Sequence, residues 1–165
     1  MSLAMAELFR RLSCGVYVVG VAAGGQRNAF TAAWVMPVSF RPLLLALSIN
    51  PNHSSYALLQ EGRAFSVNVL RADQRELAAW FGGPQQRDKL AAVPWHSGPT
   101  GAPLLEDVVA RFECLLEREC PAGDHVLAIG RVVDGALLQA DAVPLAYRDV
   151  GNLDGAEALF PDRFS

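Results

Sequence analysis

The stretch NAFTAAWVMPVS, residues 28–39, has the composition of a strand with an interruption of small residues at its centre. Its strand-forming side chains are Phe30, Thr31, Trp34 and Val35. Ala32 and Ala33 lie between them, and the run stops at Pro37. A buried strand normally fills its surroundings with larger side chains, so the alanines indicate a close neighbour. That neighbour is either another part of the protein or something flat that is not protein.

The segments on both sides of this stretch predict antiparallel strands. Residues 15–22 (GVYVVGVA) are β-branched and aromatic, and the turn sequence AAGGQ at 22–26 leads into residue 28. Residues 43–49 (LLLALSI) are apolar throughout, as in a strand that is covered on both faces. Further strands are expected at 64–70, 110–120, 126–138 and 145–150.

The predicted strand at 110–120 shows the clearest alternation of apolar and polar residues. Its inward-facing residues are expected to be Ala110, Phe112, Cys114 and Leu116. Its outward-facing residues are expected to be Arg111, Glu113, Glu117 and Glu119. This pattern predicts a long strand with one face in water.

Several short helices are predicted around the strands. Apolar residues at helical spacing share one face over residues 4–12. A second helix, 56–62, follows the N-cap candidates Ser54 and Ser55. Asp73–Glu76 has the form of a capping box for a helix that ends before Gly82-Gly83, and a further short helix is predicted near 85–91.

Many strands with hairpin turns and three or so peripheral α-helices predict a mainly β fold, an antiparallel barrel. Closure into a barrel removes the unpaired edges that such strands would otherwise expose. The 165 residues fit a single domain, 1–165, because the sequence contains no internal repeat, low-complexity tract or Ser/Gly linker.

Charge and hydropathy exclude several classes of function. A net charge of −3 gives no basic surface for nucleic acid. The longest apolar run, 43–49, is too short for a bilayer, and the N-terminus lacks a signal-type apolar core, so the expected location is the cytoplasm. The cysteines, at 14, 114 and 120, form no CxxC pair and are expected to be reduced.

The common catalytic motifs are missing from this sequence. No GxGxxG opens a helix, and neither the P-loop GxxxxGK[ST] nor GxSxG occurs. His53, His96 and His125 are far apart without paired spacing, which argues against a zinc site. No pair of carboxylates has a spacing that suggests acid–base catalysis.

Small and polar residues remain where the predicted strands end. They are Thr31 in the opening stretch, Ser48 and Asn50 after the central strand, and His53, Ser54 and Ser55 at a helix start. A helix N-terminus with free N–H groups favours a phosphate. Taken alone, the two serines fit plain capping better. Beside a flat strand of small residues, they favour a phosphorylated planar ligand.

Eight segments of the chain occur together in a known order. They are NAFTAAWVMPVSFRPLLLALSIN, AFSVNVL, LAAWF, KLAAVPW, GAPLL, FEC, GDHVLAIGRVVD and PLAYR. In this order they resemble the flavin reductase family with the FMN-binding split β-barrel, over about residues 13–148. The version TAAWVMPVSF is particularly similar to the flavin reductase domains of flavodiiron proteins.

This resemblance implies a six-stranded Greek-key split β-barrel and a homodimer with FMN at or near the subunit interface. It also implies electron transfer from NAD(P)H to the flavin, with FAD possible in place of FMN, and an acceptor such as a monooxygenase. The ring of the flavin is expected beside Thr31, Ala32, Ala33, Trp34 and Val35. The ring and ribityl phosphate are expected near Ser48, Ile49, Asn50, His53, Ser54 and Ser55.

Of four further residues, Lys89, His125 and Trp34 each keep two interpretations. By the resemblance, Phe81 and Lys89 border the cofactor, although Lys89 fits a solvated lysine equally well. By the resemblance, His125 matches the histidine of the GDH motif. It is either the catalytic candidate, at the place where the nicotinamide or acceptor approaches, or a turn residue bonded to its own backbone. Trp34 either flanks the flavin or packs in the core.

Two departures from the family pattern leave the mode of flavin use open. Arg41-Pro42-Leu43 replaces a common Pro-Pro pair, and the predicted phosphate loop NPNHSS contains no Arg or Lys. Weak retention, with flavin as a substrate, follows from the second departure. The alternatives to a reductase are a non-catalytic flavin-binding electron carrier and a protein that binds no flavin and acts through its dimer surface.

Overall fold

A computed structural model describes residues 5–84 and 88–164 and is mainly β. Its strands are β1 Tyr17–Ala23, β2 Gln26–Ala32, β3 Val35–Ser39, β4 Leu44–Ile49, β5 Ala64–Val69, β6 Trp95–Ser97, β7 Pro103–Leu105, β8 Ala110–Ala122 and β9 His125–Leu137. Its α-helices are α1 Met5–Phe9, α2 Ser55–Gly62 and α3 Arg75–Gly82. Short 3₁₀ turns lie at Lys89–Ala92, Tyr147–Asp149 and Ala156–Leu159.

The main sheet is antiparallel and has seven strands within the described ranges, in the order β2-β1-β5-β8-β9-β4-β3. The prediction of six strands is therefore only approximate. No ladder joins β2 to β3 in this part of the chain, so the sheet is open. Strands β6 and β7 form a separate two-stranded sheet.

The opening stretch forms the ends of two strands rather than one continuous strand. β2 ends at Ala32 and β3 begins at Val35, and these strands occupy opposite edges of the sheet. The chain crosses from one edge to the other through Ala33 and Trp34 alone, which requires the sheet to curl until its edges meet. The Trp34 carbonyl accepts a hydrogen bond from the Ser48 amide at 2.9 Å.

The apolar core has two main parts, one on each face of β1. Val19 faces a cluster with Leu47 and Phe65, whereas Val18 faces the cluster beneath α3. Gly130 permits the first cluster to pack, because a Cβ there would lie 2.6 Å from the Phe65 ring. Burial of each large side chain stabilises the fold by about 1.5–3 kcal/mol.

The predicted alternation of the strand at 110–120 is wrong at Glu113. This residue is only 1% exposed, and its Oε1 accepts hydrogen bonds from the backbone N–H and hydroxyl of Thr100, at 3.0 and 2.7 Å. β8 has register shifts after Glu113 and after Leu116, which break the period of two. The loop between β6 and β7 covers this face, a tertiary contact that alternation does not reveal.

Other local predictions also change. Residues 145–150 form no strand, because the chain makes single bridges there and then the 3₁₀ turn at Tyr147–Asp149. The predicted helix near 85–91 falls partly on residues 85–87, outside the described ranges, and is a 3₁₀ turn from Lys89. The N-cap of α3 is Gln74, without the side-chain bond of a capping box.

All three cysteines are free, as predicted. No helix in the described ranges has the length and apolar character needed to cross a membrane.

Candidate functional site

A cavity of about 510 Å³, the first cavity, lies where the two edges of the curled sheet approach each other. Eight of the predicted site residues line it: Thr31, Ala32, Ala33, Trp34, Ser48, Ile49, Asn50 and His125. Together with Phe30 they form the barrel wall of the site. A volume of this size is typical of small-molecule sites.

The break between β2 and β3 provides the room in the barrel wall. Ala33 lies between the two strands, outside their ladders, and only methyl groups occupy positions 32 and 33. Thr31 is held from behind, because its hydroxyl donates to the Ala78 carbonyl of α3 at 2.7 Å. The Thr31 hydroxyl proton is therefore committed to the scaffold and does not hold a ligand tail.

Two aromatic rings stand together at one side of the cavity. The Trp34 and His125 ring centroids are 5.2 Å apart and the planes are tilted by 51°. Nδ1 of His125 lies 2.7 Å from the Asp124 carboxylate, so this nitrogen carries the proton and donates it. The same hydrogen bond lowers the pKa of Asp124. His125 is thus oriented by a neighbouring side chain, with its Nε2 left as an acceptor.

The residues predicted to bind the phosphate, His53, Ser54 and Ser55, occupy separate positions. Ser55 is fully buried, and its hydroxyl accepts a hydrogen bond from Asn28 Nδ2 at 2.7 Å. The Ser55 amide donates to Nδ1 of His53 at 3.1 Å, and the His53 ring packs on Phe30 at 4.5 Å. Burial, and then the charge of Lys89, lower the pKa of His53. His53 and Ser55 therefore support the barrel wall from behind.

Ser54 lines a second cavity of about 520 Å³ beside α2. Its position is the N-cap of α2, but its side chain makes no capping hydrogen bond. Arg27 and Lys89 also line this cavity, as do the carboxylates of Glu61 and Asp88. Among the described residues, the first and second cavities have no lining residue in common.

Lys89 is neither a solvated lysine nor a residue of the first cavity. It is 3% exposed, and its Nζ donates to the carbonyls of Phe81 and Gly83, both at 2.8 Å. Burial lowers the pKa of Lys89. The lysine thus satisfies carbonyl groups at the C-terminus of α3.

Phe81 and Val35 also lie away from the first cavity. Phe81 is fully buried in the cluster beneath α3, and Val35 of β3 packs against the other cluster. Neither lines the first or the second cavity. Both residues therefore shape the site only through the scaffold.

The rest of the cavity lining comes from residues that were not among the predicted site residues. Their list is Asp124, Tyr147, Asp154, Ala156, Leu159, Phe160 and Pro161. Segment Asp154–Pro161 forms the C-terminal wall of the site. The sequence signal for it is the adjacent pair of large apolar residues, Leu159 and Phe160, near the C-terminus. The Tyr147 hydroxyl donates to Asp154 at 2.9 Å, and burial with this bond raises its pKa to about 12.

Comparison with known proteins agrees on one family. The family described as "Flavin reductase like domain" matches residues 9–154. A relative named "Probable flavin reductase" from Rhizobium meliloti strain 1021 is 36% identical over 130 residues, which are 78% of this chain and 42% of that protein. The chain therefore spans less than half the length of this relative.

Two further similarities cover most of both proteins compared. The NADH-dependent FMN reductase AsuE2 of Streptomyces nodosus subsp. asukaensis is 35% identical over 146 residues, 84% of this chain and 79% of that protein. The structure of the NADH:FAD oxidoreductase SgcE6 of Streptomyces globisporus C-1027 superposes with a TM-score of 0.81 and 27% identity. That superposition covers 88% of each chain.

Proposed function

The chain belongs to the flavin reductase-like domain family, and from this premise we propose that it is an NAD(P)H-dependent flavin reductase that binds FMN in the first cavity. FAD is the alternative flavin. The observation that carries the proposal is the convergence of eight predicted residues from three separate chain segments on this one cavity.

The residues of the first cavity fit a flat, polar-edged ring. Ala32 and Ala33 leave space that a larger side chain would fill, while the Ser48 hydroxyl and the Asn50 amide line the same space. Oδ1 of Asn50 accepts from the Asn52 amide at 2.9 Å, which orients the Asn50 amide group. Such a donor set suits the carbonyl and nitrogen edge of a flavin.

Bound flavin supplies the hydride acceptor, so the protein needs to position rings rather than provide an acid–base pair. The barrel wall holds one ring surface and excludes water through Phe30 and Ile49. Trp34 and His125 stand where a second ring enters, and Asp124 holds His125 in one tautomer. His125 thereby presents an acceptor nitrogen to the nicotinamide amide or to an electron acceptor.

The phosphate of FMN belongs with the second cavity. The described lining of the first cavity includes two aspartates and neither Arg nor Lys, whereas Ser54 and Arg27 line the second. Ser54→Ala is expected to weaken FMN more than riboflavin, because riboflavin lacks the phosphate. Parallel fluorescence titrations with both ligands measure the difference. Equal weakening contradicts the phosphate assignment.

A second copy of the chain covers the apolar surface around β3. Large apolar side chains are exposed on or near this edge strand: Met36, Val38, Phe40, Leu43 and Val133. Phe40 is 93% exposed, and isolated soluble domains rarely leave such patches uncovered. Light scattering should give a dimer mass, and Phe40→Asp should shift it towards monomer. Phe164→Asp, at an exposed position in the tail, is the matched control.

The finer structural assignments belong to the same proposal. The curl of the sheet between β2 and β3 supports a Greek-key split β-barrel, and the one continuous sheet supports a single domain. Three free cysteines favour a reducing compartment, the cytoplasm.

The test of the function begins with the purified protein and FMN. NADH and NADPH oxidation is followed in the presence and absence of added FMN, together with direct titration of FMN binding. A reductase oxidises one or both nucleotides in a flavin-dependent manner. Flavin binding without oxidation identifies the alternative, a non-catalytic electron carrier, and loss of both results rejects the proposed function.

A further inference from the structure

The C-terminal wall, Asp154–Pro161, is a part of the site that the family similarity does not account for. The family match ends at residue 154, yet four residues beyond it line the first cavity. They are Ala156, Leu159, Phe160 and Pro161. The barrel wall lines the same cavity, so a ring bound there has this segment among its boundaries.

In the described ranges, three contacts between pairs of side chains attach the C-terminal wall to the rest of the molecule. Glu157 forms an ion pair with Arg10, which follows α1. The Phe160 ring packs on Phe9 of α1, with centroids 4.9 Å apart and planes tilted by 46°. The third contact is the hydrogen bond from the Tyr147 hydroxyl to Asp154.

The wall itself contributes nothing to the apolar core. Leu159 is 82% exposed, and neither Leu159 nor Phe160 belongs to a buried cluster in the described part of the chain. These large apolar side chains are instead placed at the cavity, where they remain accessible to a ligand. A flat apolar surface placed between the two walls would bury these side chains.

We propose that the C-terminal wall is a positioning and retention element of the flavin site, an inference that rests on the proposed function. Phe160 and Leu159 pack against a flavin ring held on the barrel wall, and the contacts through Arg10, Phe9 and Tyr147 keep the segment closed over it. The wall slows flavin release. This role makes retention depend on a feature outside the family match, in addition to the phosphate contacts proposed at Ser54 and Arg27.

Two variants separate the surface of the wall from its attachment. Phe160→Ala removes both a cavity-lining ring and the contact with Phe9, and should weaken FMN binding about tenfold. Glu157→Gln removes only the ion pair with Arg10, at a residue that does not line the first cavity, and should raise the FMN dissociation rate about threefold. Matched controls in the same tail are Phe164→Ala and Asp162→Asn, which should bind FMN like the unaltered protein.

Hydrogen exchange provides a readout that does not depend on activity. FMN is expected to slow exchange of the backbone amides at 155–160 in the unaltered protein, and this protection should shrink in Glu157→Gln. A purely structural role would lower the melting temperature of the variants while leaving FMN affinity, dissociation rate and protection unchanged. That result overturns the proposal.

The outcomes also separate this proposal from the function on which it rests. If the unaltered protein binds no FMN, both fail. If it binds FMN and oxidises NADH, but the segment gains no protection and both variants release FMN at the original rate, only the retention role is rejected. If Phe160→Ala does not fold, Glu157→Gln and the exchange measurement decide the question alone.

Discussion

The two walls of the candidate site are held by different kinds of contact. The barrel wall is built on backbone ladders: β2 pairs with β1 over seven residues, and β4 pairs with β9 over six. The C-terminal wall is attached through three side-chain contacts, two of them with α1 or the residue that follows it. One wall is therefore part of the cooperative sheet, whereas we expect the other to open at a lower free-energy cost.

This difference separates two properties of the site. On the proposed function, the barrel wall selects the ring that fits, because Ala32 ends β2 and Ala33 follows it directly. On the proposed retention role, the C-terminal wall sets how long a ring stays, because side-chain contacts rather than a backbone ladder attach it. Variants in the two walls should therefore change affinity and dissociation in different ways.

The largest effect is expected from Ala33→Leu in the barrel wall. The added side chain occupies the space of the ring, so FMN binding should weaken about 100-fold or more. Far-UV circular dichroism and the mass in solution should remain unchanged, because Ala33 lies between strands and outside the buried core. Ala91→Leu, an exposed position in the 3₁₀ turn, is the control. Unfolding of Ala33→Leu would show that Ala33 packs against protein instead.

Lys89→Met tests the support behind the barrel wall. The variant leaves the carbonyls of Phe81 and Gly83 without their buried donor, so the free energy of unfolding should fall by about 2 kcal/mol. Urea denaturation measures this change, and Arg11→Met provides an exposed control. Riboflavin and FMN should weaken equally if Lys89 acts only on α3. A selective loss of FMN would assign the lysine to the phosphate.

Tyr147→Phe probes the attachment of the C-terminal wall. It removes the hydrogen bond to Asp154 and keeps the ring, so the FMN dissociation rate should rise about threefold with little change in stability. Because the pKa of Tyr147 is raised to about 12, the hydroxyl stays a donor and the effect should be constant between pH 6 and 9. Tyr56→Phe, whose hydroxyl donates to Glu119 elsewhere, is the control. An equal rise in both variants contradicts the attachment.

The smallest effect concerns His53 behind Phe30. Burial lowers its pKa below the ordinary value of 6.5, and its neutral Nδ1 accepts from the Ser55 amide. The unfolded chain therefore binds this proton more readily, and the stability from His53 is lost as pH falls through 6.5. Urea denaturation at pH 7.5 and 5.5 should show a steeper loss in the unaltered protein than in His53→Gln. Identical pH dependence in the two proteins contradicts the assignment.

Sequence patterns predicted the sheet well because its strands carry strong local signals. The β-branched run that became β1 and the apolar run that became β4 are examples, since both faces of these strands are covered. Glu113 shows the limit of alternation, because a bulge and the loop at Thr100 turn a charged residue into a buried one.

The predicted site residues divide in the same way, into those with a local sequence signal and those whose position depends on tertiary packing. The residues next to the strand break line the first cavity, and small residues in a strand are the unusual local feature that pointed to them. Their contact with a flavin stays a prediction. Phe81 and Lys89 were placed at the cofactor only by resemblance, and packing directs both into the scaffold around α3. The C-terminal wall was not predicted, because no local pattern tells which surface a C-terminal segment will contact.

The sequence by itself determined the antiparallel β class, most of the strands, the family and the unusual pair of alanines. Those features depend on local periodicity and residue size, which can be read directly from the sequence. Only the tertiary structure showed that Ala33 and Trp34 join opposite edges of a curled sheet and that Asp154–Pro161 closes the same cavity. Such placements depend on contacts between residues more than 100 positions apart, as for Arg10 and Glu157, and spacing along the chain carries no record of them.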